Sequence, residues 1–370
     1  MTLRDLVACS LAPPGRRRSA ALRRLLTAGP DGTPGPIRIP LDRFLTGLCG
    51  TEDAAILARR LRSDADAALA HARASGLGAI AWTDERYPAR LRTIPDPPPV
   101  LWLRGGGALP GCTRTVAVVG SRAASAYGLS VARQLGHDLA RAGIVVVSGL
   151  ARGCDAAAHR GALEAGGPTI GVVGCGADVV YPREHAALYD EVAAAGGVVS
   201  ELPPGTPPLP IHFPLRNRLI SGLAAAVVIV EASERSGSLI TASCALEQGR
   251  EVMAVPGNVL TDRHTGCHDL LRDGAGLVQS ARDVLEALGW AAAGALARPG
   301  GPAEKQGTAA GAPDPAGILG HLSPGDEVDL EALAARSGLK PPDLLAELTR
   351  LELAGAVERA PGGRFVRSGR

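Results

Sequence analysis

Short runs of consecutive apolar residues, mostly β-branched, recur between Val116 and Leu288, each followed by a small-residue turn and a stretch of helical spacing. Runs without polar alternation predict strands buried on both faces, and the order strand, turn, helix predicts an α/β, doubly wound, mostly parallel sheet. Strands are expected at 116–119, 144–148, 169–173, 197–200, 226–231 and 252–255. Val100-Leu101-Trp102-Leu103 reads as a further strand, reached through the connector Tyr87 to Pro99, whose prolines disfavour helix and ladder bonding.

The two ends have a different texture. Residues 1–80 are rich in Ala, Leu and Arg at helical spacing, as in Leu6 and Leu11, then Leu22, Leu25 and Leu26, with a Pro/Gly break from Gly29 to Pro36. Asp64 to Ala74 reads as a helix with Ser63 as its N-cap. This predicts a small helical N-terminal domain at 1–80, followed by the sheet domain at 81–290. The Ala/Gly/Pro stretch 291–315 reads as a flexible linker. Residues 316–370 then read as helix (317–322), helix (329–336), turn, helix (342–354) and a hairpin closing on Arg364-Phe365-Val366-Arg367, the order of a winged helix.

At 370 residues, 46% hydrophobic and 21% charged, the chain has the composition of a soluble globular protein of two or three domains. A net charge of +2 does not announce nucleic acid, so any electrostatic footprint must be local. Of its 39 Lys and Arg, only Lys305 and Lys340 are lysines, so the sheet region has none for a P-loop or a Schiff base. Seven cysteines lie scattered without a CxxC pair, the pattern of free thiols in a reducing compartment, and a cytoplasmic location is expected. No segment approaches the roughly 20 apolar residues that cross a bilayer, so membrane insertion is not expected.

Chemistry is expected at the turns that follow the strands, because in an open α/β sheet these lie on the carboxyl edge, where ligands bind. Gly120-Ser121-Arg122 follows the first strand and offers backbone N–H groups, room for close approach and a fixed positive charge to a phosphate. Ser148-Gly149-Leu150-Ala151-Arg152-Gly153, Gly174-Cys175-Gly176 and Ser236-Gly237-Ser238-Leu239-Ile240-Thr241 are expected to converge with it on one anion-binding crevice. A nucleoside-triphosphatase signature GxxxxGK[ST] is excluded for want of lysine, and a dinucleotide fingerprint for want of its second and third glycines. Asp155 and His159 share a helix face, which fits an acid/base pair or metal ligands; the favoured reading is structural, with Asp155 complementing the helix dipole. His264, Cys267 and His268 make a weak zinc signature, and no metal or other cofactor is expected. Phe213-Pro214-Leu215-Arg216-Asn217-Arg218 sets one of few aromatics beside two arginines and an asparagine. Spacing alone leaves two readings open: a base-stacking, phosphate-holding segment, or a core Phe on a helix with solvated arginines.

Over Tyr87 to Ala275 these motifs resemble the DNA-processing protein A family (DprA, also called Smf): Val119-Gly120-Ser121-Arg122 with Tyr127-Gly128; Ser148 to Asp155 with Ala158-His159; Ser200-Glu201; Phe213-Pro214 with Arg216-Asn217-Arg218; Ser236 to Thr241; and Val255-Pro256-Gly257. The resemblance implies an extended Rossmann-like domain between a helical, SAM-like N-terminal domain and a winged helix. It further implies a non-enzymatic protein that binds single-stranded DNA with little sequence preference, dimerises, and loads the RecA recombinase during natural transformation. On this model Gly120, Ser121 and Arg122 hold a phosphate, and Phe213, Arg216 and Arg218 line the strand's path. Ser148, Gly149, Arg152, Gly174, Gly176, Asn217, Ser236, Gly237, Ser238 and Thr241 complete the expected DNA contacts, and Leu270 and Leu271 are expected at the dimer contact.

Two departures matter. Many relatives carry a basic residue between Ser-Glu and Phe-Pro, whereas Pro203 to Ile211 has none; and His268 stands where the family usually has Asn ahead of its Leu-Ile pair. The alternative is a nucleotide-binding or nucleoside-monophosphate-hydrolysing enzyme of the same Rossmann-like superfamily, whose hydrolases carry the signature Pro-Gly-Gly-x-Gly-Thr-x-x-Glu. Ser236 to Cys244 occupies that place with Thr241 kept, but Cys244 stands where the carboxylate would carry the proton.

Overall fold

The computed structural model describes residues 2–12, 41, 44–46, 51–105, 109, 113–290, 318–322, 327–360 and 363–367. The expectations at 22–36 and for the linker 291–315 lie outside these residues. The chain begins with helices α1 (Leu3–Leu11) and α2 (Thr51–Ala74), then strand β1 (Gly78–Ala81), the single turn α3 (Ala89–Arg92) and β2 (Val100–Arg104). The alternating block follows: β3 (Thr115–Val119), α4 (Ala126–Arg141), β4 (Val145–Ser148), α5 (Cys154–Glu164), β5 (Thr169–Val172), α6 (Ala186–Ala195), β6 (Gly197–Ser200), α7 (His212–Leu223), β7 (Ala226–Ile229), α8 (Gly237–Glu247), β8 (Glu251–Ala254), α9 (Thr265–Arg272), β9 (Gly276–Leu277) and α10 (Ala281–Ala287).

The nine strands form one sheet in the order β1-β2-β6-β5-β4-β3-β7-β8-β9, with β1–β2 and β2–β6 antiparallel and every other pair parallel. Every residue of β3 to β7 is buried because helices cover both faces. Alternation sorts the side chains. Val116, Val118, Val146, Val228 and Met253 meet α4, α5 and α10, while Ala117, Val119, Val147, Ile229 and Ala254 meet α7, α8 and the N-terminal helices α1 and α2. The N-terminal helices thus share the sheet's core.

The six strands expected in the block are present to within two residues at each end. β1 and β9 are additions, and β1 straddles the expected boundary at residue 80. Ser63 is not an N-cap: α2 starts at Thr51 and runs through it. The proline-rich connector does admit one helical turn, α3, N-capped at Pro88, where the missing N–H costs nothing. Its buried Tyr87 donates its hydroxyl to Pro98 O at 2.8 Å, pinning the connector against the sheet.

The C-terminal part has its own core of Leu322, Leu333, Leu344, Leu348 and Phe365. A short 3₁₀ turn (Ile318–His321) leads to α11 (Leu330–Ser337), α12 (Pro341–Leu353) and the hairpin β10 (Val357–Ala360) and β11 (Arg364–Arg367), which is the expected winged helix. Asp329 caps α11 by accepting Ala332 N–H at 2.7 Å, and Gly338 ends it in the left-handed region, φ 68°.

Candidate functional site

Chain order along the sheet reverses at β3: β4, β5 and β6 lie on one side of it, β7 and β8 on the other. Such a reversal opens a crevice at the carboxyl ends of β3 and β7, because the helices that follow leave on opposite faces. A cleft of about 580 Å³ lies there, lined by Gly120 to Ala123 after β3, by Ser233, Ser236 to Ser238, Ile240 and Thr241 after β7, and by Phe213, Arg216 and Asn217 of α7. The volume suits one nucleotide-sized ligand.

The helix end expected to greet a phosphate is already occupied. Ser125 N-caps α4, and the buried carboxylate of Glu231 accepts Ser125 N–H at 3.1 Å and Ser125 Oγ–H at 2.5 Å. Val230 N–H donates to Val119 O, so the residue after β7 lands beside the loop after β3. The positive end of α4 is therefore neutralised from within. The N-terminus of α8 is different: Ser236, Gly237 and Ser238 line the cleft, and a Cβ placed on Gly237 would meet nothing within 4 Å. Asn217 Nδ2 donates to Gly237 O at 3.2 Å and ties α7 to this turn. Ser238 in the first turn and Thr241 one turn further on are buried.

Arg122 is exposed and has no ion pair with any described residue. Its guanidinium sits 5.0 Å above the centroid of Phe213, and Tyr181 packs on the same ring at 5.4 Å, tilted by 44°. The Arg122 loop is fixed from below: Cys154 N–H donates to Ser121 O at 3.1 Å, and Gly153, at φ 75°, packs so closely that a Cβ there would come within 2.1 Å of Ser121 O.

Arg216 is only 4% exposed and donates Nη1–H to Val172 O at 2.8 Å, while its Nε finds no partner among the described residues. Burial pulls its pKa down to about 10, opposed by the negative charge of Asp155. Asp155, also buried and in the cleft wall, accepts Gly149 N–H at 3.1 Å; burial raises its pKa, and Arg216 opposes the rise. Gly149 lies between the two, where a Cβ would fall 1.9 Å from Arg216 Nη1 and 2.5 Å from Asp155 Oδ2.

The expected residues thus divide. Gly120, Ser121, Arg122, Phe213, Arg216, Asn217, Ser236, Gly237, Ser238 and Thr241 do meet in one cleft. Arg216 is nevertheless not a solvated helix-face arginine but part of the cleft's buried floor. Arg218 does not line the cleft, because Glu201 at 2.5 Å and Asp96 at 3.6 Å hold it on the far side of α7. Arg152 is exposed and pairs with Glu184. Ser148 spends its hydroxyl on Val118 O at 2.7 Å, Gly174 packs against Phe213, and Gly176 donates to Thr206 O. The four turns therefore do not converge as equals: those after β3 and β7 supply most of the cleft lining, the turn after β4 adds only Ala151, and Gly174 and Gly176 after β5 stay out of it. Leu270 and Leu271 are half-buried against the core rather than an exposed patch.

The remaining candidates are structural. His159 is fully buried with Nδ1 2.7 Å from Thr169 Oγ1, and burial lowers its pKa to about 3. Asp155 serves Gly149 and opposes Arg216, a larger role than dipole complement. Buried Cys267 donates to Ile229 O, and His268 Nε2 lies 3.2 Å from Gly257 O. Among the described residues no group of three or more His, Cys, Asp or Glu could hold a metal, and no helix is long and apolar enough to cross a membrane. Asp155 is the sole carboxylate among the described cleft residues, and Cys244 is not one of them. Sequence reasoning missed Tyr181; its one signal was rarity, in a chain with 3% aromatics.

Fold and cleft together define a Rossmann-like protein with a crevice at the sheet's switch point, lined by Arg122, the N-terminus of α8 and apolar side chains. Residues 78–289 match the family model of DNA recombination-mediator protein A and residues 302–363 that of the DprA winged helix domain, so the chain belongs to the DprA/Smf family. It is 44% identical over 220 residues to DNA processing protein DprA of Bacillus subtilis, covering 60% of this chain and 74% of that one. With protein Smf of Escherichia coli it shares 42% over 292 residues, 76% and 75% of the two chains. Among solved structures, DprA from Streptococcus pneumoniae superposes with a TM-score of 0.67 at 36% identity, covering 77% of this chain and 98% of that one. DNA processing protein A from Helicobacter pylori, described for its single-stranded DNA binding mode, gives 0.52 at 28% identity, covering 57% and 95%.

Proposed function

We propose that this protein binds single-stranded DNA in the β3/β7 cleft with little sequence preference, without catalysing a reaction on it, and loads RecA recombinase onto that strand. The observation that carries the reading is the pairing of an ion-pair-free Arg122 with the open N-terminus of α8 across a cleft of nucleotide size. Charge and dipole there address a phosphate, while the apolar walls address a sugar or base without reading its edges. Family membership and the Helicobacter pylori relative support the choice of DNA over a free nucleotide. Residues 81–290 carry this binding, with 1–80 bracing the sheet and 316–370 serving protein contacts; the working form is a cytoplasmic homodimer.

The test is the affinity of labelled oligothymidine and mixed-sequence strands across a salt series. Wild type should bind both comparably, and Arg122→Ala should weaken both alike while reducing the single-strand salt slope by about 0.7, the share of one phosphate. An unchanged slope refutes this site. Loading is tested separately, by whether the protein hastens RecA filament growth on the bound strand.

A further inference from the structure

We propose that the nucleobase contact in this cleft is made by Tyr181, and that Phe213 is the seat that positions Tyr181 and Arg122. This rests on the single-strand reading above and names the residue that meets the base.

The argument begins with what is still uncovered. Phe213 is only partly exposed and its surroundings are taken: Arg122 covers one face at 5.0 Å, Tyr181 lies against the ring at 5.4 Å, and a Cβ on Gly174 would touch Cδ1 at 3.2 Å. A base stacking on the face that Arg122 covers would have to displace the very cation that should hold the phosphate. Tyr181 lines the same cleft and is 39% exposed. Its hydroxyl makes no hydrogen bond to a described residue, and apart from Phe213 no described aromatic ring stacks on it. Its polar tip suits a wet cleft mouth. Arg122 and Tyr181 both lean on one phenyl ring, so the charge and the free ring are held at a fixed separation. A nucleotide likewise offers a charged phosphate and a flat base together, and stacking tolerates any base. Ile240 and Pro210 line the cleft beside them and add apolar surface without a second cation.

The experiment uses the full chain with two probes: a labelled oligothymidine, and a strand of equal length whose sugar–phosphate backbone carries no bases. Tyr181→Ala should lose about 5- to 150-fold in affinity for oligothymidine, the range of one lost stack. On the abasic strand it should change less than twofold, and Tyr181→Phe should bind both as wild type does. Phe213→Leu should weaken both strands, because Arg122 loses its seat along with Tyr181. Equal losses for Tyr181→Ala on the two strands, or none on either, overturn the proposal, as does a Phe213→Leu loss confined to the base-bearing strand. These results differ from failure of the parent reading, in which wild type itself binds neither strand or Arg122→Ala changes nothing.

Discussion

Replacing Arg216 by Met separates a floor residue from a DNA ligand. Methionine keeps the apolar stem but deletes the bond to Val172 O and the positive charge that opposes Asp155. Arg216 and Asp155 are not in direct contact, but removing one of two buried opposite charges strands the other away from water, at a cost of up to about 3–5 kcal/mol. Arg216 and Asp155 are 4% and 6% exposed, so solvent screens neither. Asp155→Asn in the Arg216→Met background removes the stranded charge while keeping an oxygen for Gly149 N–H. The double variant should therefore regain about 1–3 kcal/mol of the loss as a coupling term. Urea unfolding at pH 7 measures all four proteins. The deficit of Arg216→Met should also shrink as pH falls. Burial raises the Asp155 pKa when folded, and such a carboxyl binds its proton more readily in the native state, so stability is recovered as pH drops through that raised value. A Met variant as stable as wild type that fails to bind DNA would show that Arg216 is free to hold a phosphate, and would sink this account.

Two further outcomes follow from buried and exposed charge. His159 has a folded pKa of about 3 against 6.5 for the free side chain, so the unfolded chain binds the extra proton between those values and stability is lost as pH falls; the fall should be less steep in His159→Gln by up to about 1.4 kcal/mol per pH unit, and parallel pH–stability curves would refute this. In the winged helix, α12 carries Asp343, Glu347 and Glu352 against Arg350, which already pairs with Glu347, so it is a poor reader of a DNA groove. Deleting residues 305–370 should leave single-strand affinity within about tenfold, and a much larger loss would place DNA contacts in the tail.

The sheet was legible because strands covered on both faces are written as unbroken apolar runs, as in Thr115–Val119 and Ala226–Ile229. β1 and β9 were not: Gly-Ala-Ile-Ala and Gly-Leu are too short and too small to rise above a loop pattern, and only their neighbours make them strands. The site was legible in its loops but not in its partners. Arg122 and Arg218 are the same residue type in equally plausible motifs, and what separates them is Glu201 and Asp96 closing on Arg218 from other elements. Tyr181 lay hidden for the converse reason, since what brings it to Phe213 is the close of the fold around the β5 turn.

The position of the proposed anion seat shows the same limit most sharply. After β3 and after β7 the chain offers similar ingredients, a small residue, a serine N-cap and a helix, so local chemistry recommends both helix ends equally. Parallel pairing of β3 with β7 breaks the tie, because it carries Glu231 off the end of β7 and under Ser125. One buried carboxylate spends the dipole of α4 on structure and leaves that of α8 facing the cleft. Arg122, released from any need to serve its own helix, reaches over Phe213 toward the cleft. The cation and the free helix end thus come from different loops, and it is the reversal of strand order between them that makes one site of the two.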